Sequence, residues 1–258
     1  MLDAILKAKR KDLDRAKART ALADLKVAVR SLEPGRPFRK AVAPEKGIAL
    51  IAEIKRASPS RGPLNPNLDP AALAEAYAEA GAAAISCLTE KDFFQGSFDD
   101  LRVARRAAAV PFLRKDFLFD PFQIYETRVL GADALLLIVR ILDGTQLADL
   151  AGLAAELGLC PLVEVHTEDE AGRALDAKVP VIGINNRNLD TFEVSLETTE
   201  RIRPMIPAAI PVVGESGIHG RRDVERLQHA GVNAILVGEE LVTAADPGLK
   251  IKELLGTA

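Results

Sequence analysis

The sequence predicts an α/β chain of the (β/α)8 class, a TIM barrel, with an additional helical segment ahead of its first strand. Three observations carry that prediction. Short, continuously apolar runs recur roughly every 25 residues, the length of one strand–helix unit. The chain has 258 residues, close to the ~250 of one such barrel, and can bury a single large core without a second domain. No turn chemistry of a β-hairpin separates any two runs, so helical crossovers must join strands that run parallel. A doubly wound open sheet is the alternative, but its first strand would usually end in a G-x-G-x-x-G turn, and here that strand ends in Glu-Ile-Lys-Arg-Ala-Ser-Pro-Ser.

Residues 1–30 read as helix, with Leu2, Ile5, Leu6 and Leu13 near a 3.6-residue period and Lys7, Lys9, Arg10 and Lys11 between them. Asp3, Asp12, Asp14 and Asp24 interrupt its basic face, which argues against a nucleic-acid or membrane contact there. Pro34, Gly35, Pro37 and Pro44 mark 31–46 as a linker. Residues 1–258 thus form one barrel domain, with 1–46 as its N-terminal helical extension and linker. From Ile48 onward strands and helices alternate, and Ala134-Leu135-Leu136-Leu137-Ile138-Val139 is the clearest doubly covered strand. Pro111, Pro161, Pro180 and Pro211 open strands, where a missing N–H costs no ladder bond. Gly81, Gly131 and Gly231 each precede a strand and suit the left-handed residue that ends a helix.

Polar and ionisable residues close most of the strands: Glu53-Ile54-Lys55, Leu88-Thr89-Glu90, Arg114-Lys115-Asp116, Val163-Glu164-Val165, Asn185-Asn186-Arg187 and Gly214-Glu215-Ser216. Charge at the end of an apolar strand is costly unless paired or used. Its recurrence along a βα chain marks an enzyme mouth built from strand ends. Strand side chains alternate, so Glu53 and Lys55 share a face, as do Leu113 with Lys115, Leu162 with Glu164 and His166, Gly183 with Asn185 and Arg187, and Val213 with Glu215. Lysines and glutamates meeting in a partly dry cup have their proton affinities pushed apart, which suits proton transfer to and from a carbonyl compound. An ion pair that merely caps the core is the competing reading of Glu53 and Lys55. Ser216-Gly217 and Gly238-Glu239 follow the last two strands, where βα barrels often cradle a phosphate with backbone N–H groups.

Composition narrows the field. Hydrophobic residues make up 48% and charged residues 28%, and a net charge of −3 supplies no field for nucleic acid or an anionic membrane. No apolar stretch approaches the ~20 residues that cross a bilayer, and no signal core follows the N-terminal basic residues. Two cysteines, Cys87 and Cys160, sit in apolar runs and fit a reducing cytoplasm. His166, His219 and His229 lack metal-ligand spacing, and no Gly-Lys-Ser/Thr loop exists for a nucleoside triphosphate, so neither metal nor cofactor is expected.

At its most specific segments the chain resembles indole-3-glycerol phosphate synthase, from the N-terminal helix to the last strand. These segments are Ile51-Ala52-Glu53-Ile54-Lys55-Arg56-Ala57-Ser58-Pro59-Ser60, Phe94-Gln95-Gly96-Ser97, Leu113-Arg114-Lys115-Asp116-Phe117, Leu162-Val163-Glu164-Val165-His166, Gly183-Ile184-Asn185-Asn186-Arg187-Asn188-Leu189 and Gly214-Glu215-Ser216-Gly217-Ile218. The resemblance implies a cofactor-free carboxy-lyase of tryptophan biosynthesis. It would close the pyrrole ring of 1-(2-carboxyphenylamino)-1-deoxyribulose 5-phosphate, with loss of carbon dioxide and then water. It implies Lys115 as general acid and Glu164 in the dehydration proton transfers. Lys55 would pair with the substrate carboxylate or an acidic neighbour, with a share in the acid role as the alternative, and Glu53, Asn185 and Glu215 would orient these groups and the substrate hydroxyls. Ser58, Ser216, Gly217 and Gly238 would hold the phosphate, while Phe94, Phe117, Leu136 and Arg187 would shape the aromatic and carboxylate pocket. The N-terminal extension and the loop after Lys55 would pack on the mouth. A monomer is expected, and other tryptophan-pathway enzymes are the protein partners that weak contact would involve. One departure concerns Glu239 and Glu240, which follow Gly238 where the family usually has serine. The Glu239 backbone N–H is expected to bind phosphate while its side chain points away. The neighbouring phosphoribosylanthranilate isomerase is the competing reading, and it requires Cys87 to face the axis with an aspartate partner.

Overall fold

The computed structural model describes residues 1–59, 61–65 and 67–257, in which the apolar runs form one closed barrel of eight parallel strands. Ser60 of the first family-like segment lies outside the described residues. The strands are β1 (Ala49–Ile54), β2 (Ala84–Leu88), β3 (Phe112–Lys115), β4 (Ala134–Ile138), β5 (Cys160–Val165), β6 (Val181–Asn185), β7 (Val212–Glu215) and β8 (Ala234–Val237). Each pairs with its neighbours in sequence, and β8 returns to β1 with Ala49 opposite Ala234. Every strand residue is buried except Lys115 at the end of β3 and Cys160 at the start of β5. Burial on both faces explains why these strands read as continuous apolar runs.

Side-chain alternation divides the core into two shells. Ile51, Leu113, Ala134, Leu136, Leu162, Val181, Val213 and Leu236 fill the barrel. Leu50, Ile85, Cys87, Leu135, Leu137, Val163, Ile182 and Ile235 face the helices. Ahead of the barrel come α1 (Leu2–Arg19), α2 (Leu22–Ala28) and α3 (Phe38–Ala41), and the outer layer comprises α4 (Pro70–Glu79), α5 (Phe98–Ala107), α6 (Pro121–Leu130), α7 (Gly144–Glu156), α8 (Glu168–Asp176), α9 (Glu197–Ile202), α10 (Arg221–His229), α11 (Glu239–Val242) and α12 (Pro247–Leu255). Asp69, Ser97, Asp120, Asp143, Thr167 and Asp246 cap helix starts with side-chain oxygens. Gly81, Gly131 and Gly231 take positive φ where α4, α6 and α10 give way to strands.

Three local expectations are corrected. The helix expected over 1–30 is two helices, α1 (Leu2–Arg19) and α2 (Leu22–Ala28), followed by a short 3-10 turn at Val29–Ser31. Thr20 and Ala21 are extended, and this reversal lets Leu25 reach the same Phe122 that Leu13 packs against. The supposed linker contains α3 (Phe38–Ala41), whose Phe38 is buried together with Val42 against the barrel-filling shell. Arg36 anchors this segment at the strand-entry end, donating to the carbonyls of Ala108 at 2.7 Å and Val110 at 2.6 Å. The extension therefore meets both ends of the barrel. Antiparallel pairing also occurs, contrary to the expectation of none: Ala57–Ser58 pairs with Gly62–Pro63, and Arg187 bridges Val194. Both pairings lie in loops that leave strand ends and are too short to register as periodicity.

Candidate active site

The strand ends meet α1 in a single cup. Lys115, at the end of β3, reaches across the barrel axis, and its ammonium donates to Glu164 Oε2 on β5 at 3.1 Å and to Glu215 Oε2 on β7. On the other side of the axis Lys55 lies 3.1 Å from Glu53 Oε1. Ser86 Oγ on β2 donates to Glu53 Oε2 at 3.5 Å. The same inward faces that fill the barrel with leucine and valine lower down deliver these charges one layer higher.

Their electrostatics are coupled. Burial pulls the Lys115 ammonium down, but Glu215, Glu164 and Glu53 outweigh it and hold the proton above the usual lysine range. Burial also works against Glu164 ionising, yet Lys115 and His166 outweigh it and keep the group a carboxylate. Glu215 goes the other way: burial, reinforced by the charges of Glu164 and Glu53, raises it to about 7 despite Lys115. Two carboxylates on one ammonium thus differ in proton affinity, as an acid–base assembly requires.

Two glycines leave room for the carboxylates of this cup. A Cβ on Gly183 would lie 2.2 Å from Glu215 Oε1, and one on Gly238 would lie 2.5 Å from Glu53 Oε1. Gly183 was legible only as part of a motif, because the side chain it accommodates comes from another strand.

All fifteen residues assigned from the sequence line this cup. Phe94 and Phe117 form one wall, with ring centroids 6.3 Å apart and a tilt of 39°. Leu136, Ser58 and Arg187 complete the lining, the first two of them buried. Asn185 is buried and its Oδ1 accepts the Arg187 N–H at 3.0 Å, which fixes the loop after β6. Ser216 and Gly217 are consecutive residues with φ of 66° and 76°, so the chain turns its backbone toward the cup after β7. Glu239 departs from expectation. Its carboxylate stays at the mouth, 3.7 Å from Lys55 Nζ and 3.3 Å from Arg61 Nε, because these two cations hold it there.

A model of the indole-3-glycerol phosphate synthase family matches residues 2–254. The chain belongs to that family. A synthase relative from Albidiferax ferrireducens is 48% identical over 261 residues, covering 100% of this chain and 99% of its own. One from Dehalococcoides mccartyi is 47% identical over 248 residues, with 95% of each chain covered. Among solved structures, 3-hexulose-6-phosphate synthase from Salmonella typhimurium superposes with a TM-score of 0.65 at 12% identity, covering 81% of this chain and 98% of its own. Thiamine phosphate pyrophosphorylase from Pyrococcus furiosus gives 0.61 at 18%, covering 84% and 96%. These two share the fold.

As a synthase-family barrel, the chain also uses residues that sequence reasoning missed. Met1, with Leu2 and Ile5 of the α1 that follows it, lines the cup, and so does Phe192, which has a φ of 62°. Beneath α1, Lys9 Nζ donates to Asp116 Oδ2 at 2.6 Å, and Arg114 and Thr89 donate to the same oxygen. Burial would raise Asp116, but Lys9 and Arg114 outweigh it and hold the carboxyl at about 2. The signal was present as Lys9 on the helix and Asp116 beside Lys115, but nothing in either local pattern linked them across the chain. Asn186 also proved structural: its side chain donates to the Ser216 carbonyl and accepts from Thr199, tying the β6 and β7 loops together.

Proposed function

We propose that this cup carries out the family reaction through an assignable set of groups. The enzyme is an indole-3-glycerol phosphate synthase, a carboxy-lyase of tryptophan biosynthesis acting on a phosphosugar. The observation that carries the residue assignments is the Lys115 ammonium held between Glu164 and Glu215, opposite the Lys55–Glu53 pair.

The substrate phosphate sits at the rim on backbone N–H groups of Ser216, Gly217, Gly238 and Glu239, with Ser58 closing from the β1 loop. The anthranilate ring lies against Phe94, Phe117 and Leu136. Its carboxylate faces Lys55 and Arg187, whose charges an overall acidic chain needs locally. That carboxylate leaves as neutral carbon dioxide, so a mobile lysine serves better than a rigid bidentate clamp. Lys115 keeps its proton while two carboxylates hold it. As the ring carbon attacks, the carbonyl oxygen gains negative charge and draws that proton, so the interaction is strongest in the transition state. Glu164, kept ionised, then accepts a proton in the dehydration that forms the indole. Glu53, Asn185 and Glu215 orient the lysines and the substrate hydroxyls. Glu239 contributes its N–H, while Lys55 and Arg61 offset its carboxylate beside the phosphate.

The isomerase reading has no support in the geometry. Cys87 packs in the helix-facing shell, and burial pushes its thiol well above the usual range. Every proposed group comes from one barrel, which supports a monomer, and weak contact with other tryptophan-pathway enzymes is proposed on the family resemblance alone. The two free thiols, Cys87 and Cys160, support a cytoplasmic setting. The test is to incubate the purified chain with 1-(2-carboxyphenylamino)-1-deoxyribulose 5-phosphate, with and without a chelator, and follow indole fluorescence. Product should form at equal rates in both. No product, or loss with chelator, overturns the reading.

A further inference from the structure

His166 lies outside the cup and directly behind Glu164. Its ring is buried, with Nδ1 3.0 Å from Glu170 Oε2 and Nε2 3.3 Å from Glu164 Oε1. The second contact is close enough for charge attraction but off the line of a full hydrogen bond. Glu170, in the first turn of α8, also accepts the His166 backbone N–H at 2.7 Å. Both ring nitrogens therefore face carboxylates. A neutral imidazole would turn one lone pair onto an anion in a dry site, whereas an imidazolium donates from Nδ1 to Glu170 and sets its positive charge beside Glu164. The other Glu164 oxygen is held by Lys115. Glu164 is thus clamped from two sides, by a cation inside the cup and a cation behind it.

We propose that His166 is a positioning residue that, braced by Glu170, fixes the angle and the ionised state of Glu164. The inference rests on the role assigned to Glu164 above. The ionisable groups facing the ring are Glu164 from β5 and Glu170 from α8. On adjoining elements Arg140 pairs with Asp190, Arg173 donates to the Leu142 carbonyl and Glu168 pairs with Arg201, so their charges are engaged elsewhere. Burial alone would drive the ring toward neutrality, but Glu164 and Glu170 outweigh it and raise it to about 9. The sequence placed His166 on the face of Glu164. It gave no sign of the second carboxylate, because Glu170 is brought back by the first turn of a helix capped by Thr167.

The test combines a spectroscopic readout with kinetics. In the wild-type protein at pH 7.5, the 15N shifts of the His166 ring should report both nitrogens protonated. A neutral tautomer overturns the proposal. His166→Gln should lower kcat by about tenfold to a hundredfold, the scale of a misplaced reacting group, with KM changed less than about twofold. An unchanged kcat, or equal losses in kcat and KM, overturns it. Glu170→Gln keeps the backbone acceptor but removes the bracing charge. It should move the alkaline limb of kcat down by about one pH unit, the scale of losing one nearby opposite charge, and an unmoved limb overturns the proposal. If the wild-type protein forms no indole product, the functional reading fails, while the ring protonation still scores the clamp on its own.

Discussion

At the scale of single residues, the proposed chemistry depends on two buried carboxylates that share one lysine and yet differ in proton affinity. Lys115→Met removes the donor while leaving a chain of similar length. It should lower kcat by about a hundredfold to ten-thousandfold, the usual contribution of general acid catalysis, with a much smaller change in KM. Steady-state kinetics decide it, because equal losses in both would make Lys115 a binding group only. Gly183→Ala tests the same site from the side. Its Cβ would meet Glu215 Oε1 at 2.2 Å, so the carboxylate must leave its place beside Lys115. The variant should fold, since Gly183 takes no positive φ, and should lose most of its kcat. Wild-type turnover in a folded Gly183→Ala protein would show that Glu215 has no fixed position to defend. The charged residues themselves were legible because strand alternation alone puts Glu53, Lys55, Lys115, Glu164 and Glu215 on inward faces. Their pairings were not, because sequence spacing says which face a side chain takes and nothing about which strand end it leans toward.

At the scale of elements, the barrel strands were legible for a simple reason: parallel strands covered on both faces become continuous apolar runs, and capped helices separate them at an even interval. The N-terminal extension was read less well. Its period predicted one helix, yet tertiary contacts break it at Thr20 so that α1 covers the mouth while α2 packs on α6 through Leu25 and Phe122. Likewise, prolines dominated the reading of 31–46, although Phe38 and Val42, four residues apart, carried the helical signal of α3. Ile5 and Leu13 hold α1 over the cup by apolar burial, and Lys9 on Asp116 is its one buried ion pair among the described residues, since Lys17–Asp120 and Lys91–Asp12 are partly exposed pairs worth at most about 1 kcal/mol each. Lys9→Met leaves Asp116 without one of its two cations in a buried setting. Breaking such a pair costs about 3–5 kcal/mol, and here Arg114 offsets part of that cost. The variant should melt several degrees lower and show a raised KM as Met1, Leu2 and Ile5 withdraw from the cup. A lowered melting temperature with unchanged KM would mean that the first turn of α1 plays no part in holding substrate.

At the scale of the whole molecule, the two ends of the barrel do different work, and the difference should appear in how stability responds to pH. The entry end is closed by Phe38 and Val42, apolar and indifferent to protons. The mouth concentrates buried titratable groups whose shifts run in opposite directions. Asp116 is depressed to about 2, so its contribution is complete above the unfolded carboxylate value of about 3.9 and is lost as pH falls toward 2. Glu215 is raised to about 7 and His166 to about 9. For groups with raised values the sign reverses: the contribution is complete below the unfolded value and is lost as pH climbs through the folded one. Glu215 therefore loses its share between about pH 4.5 and 7, and His166 between about pH 6.5 and 9. The melting temperature should peak in mildly acid solution and decline steadily to pH 9, although Glu164 stays ionised and Lys115 charged across that whole range. A barrel evolved only for stability would place apolar residues at Glu215, and the slope measures what the mouth gives up for its charges. Calorimetric scans from pH 4 to 9 test this, with Glu215→Gln flattening the first part of the decline and His166→Gln the second. A flat curve in the wild-type protein, or the same slope in both variants, would mean that these two groups do not set the pH dependence of the fold.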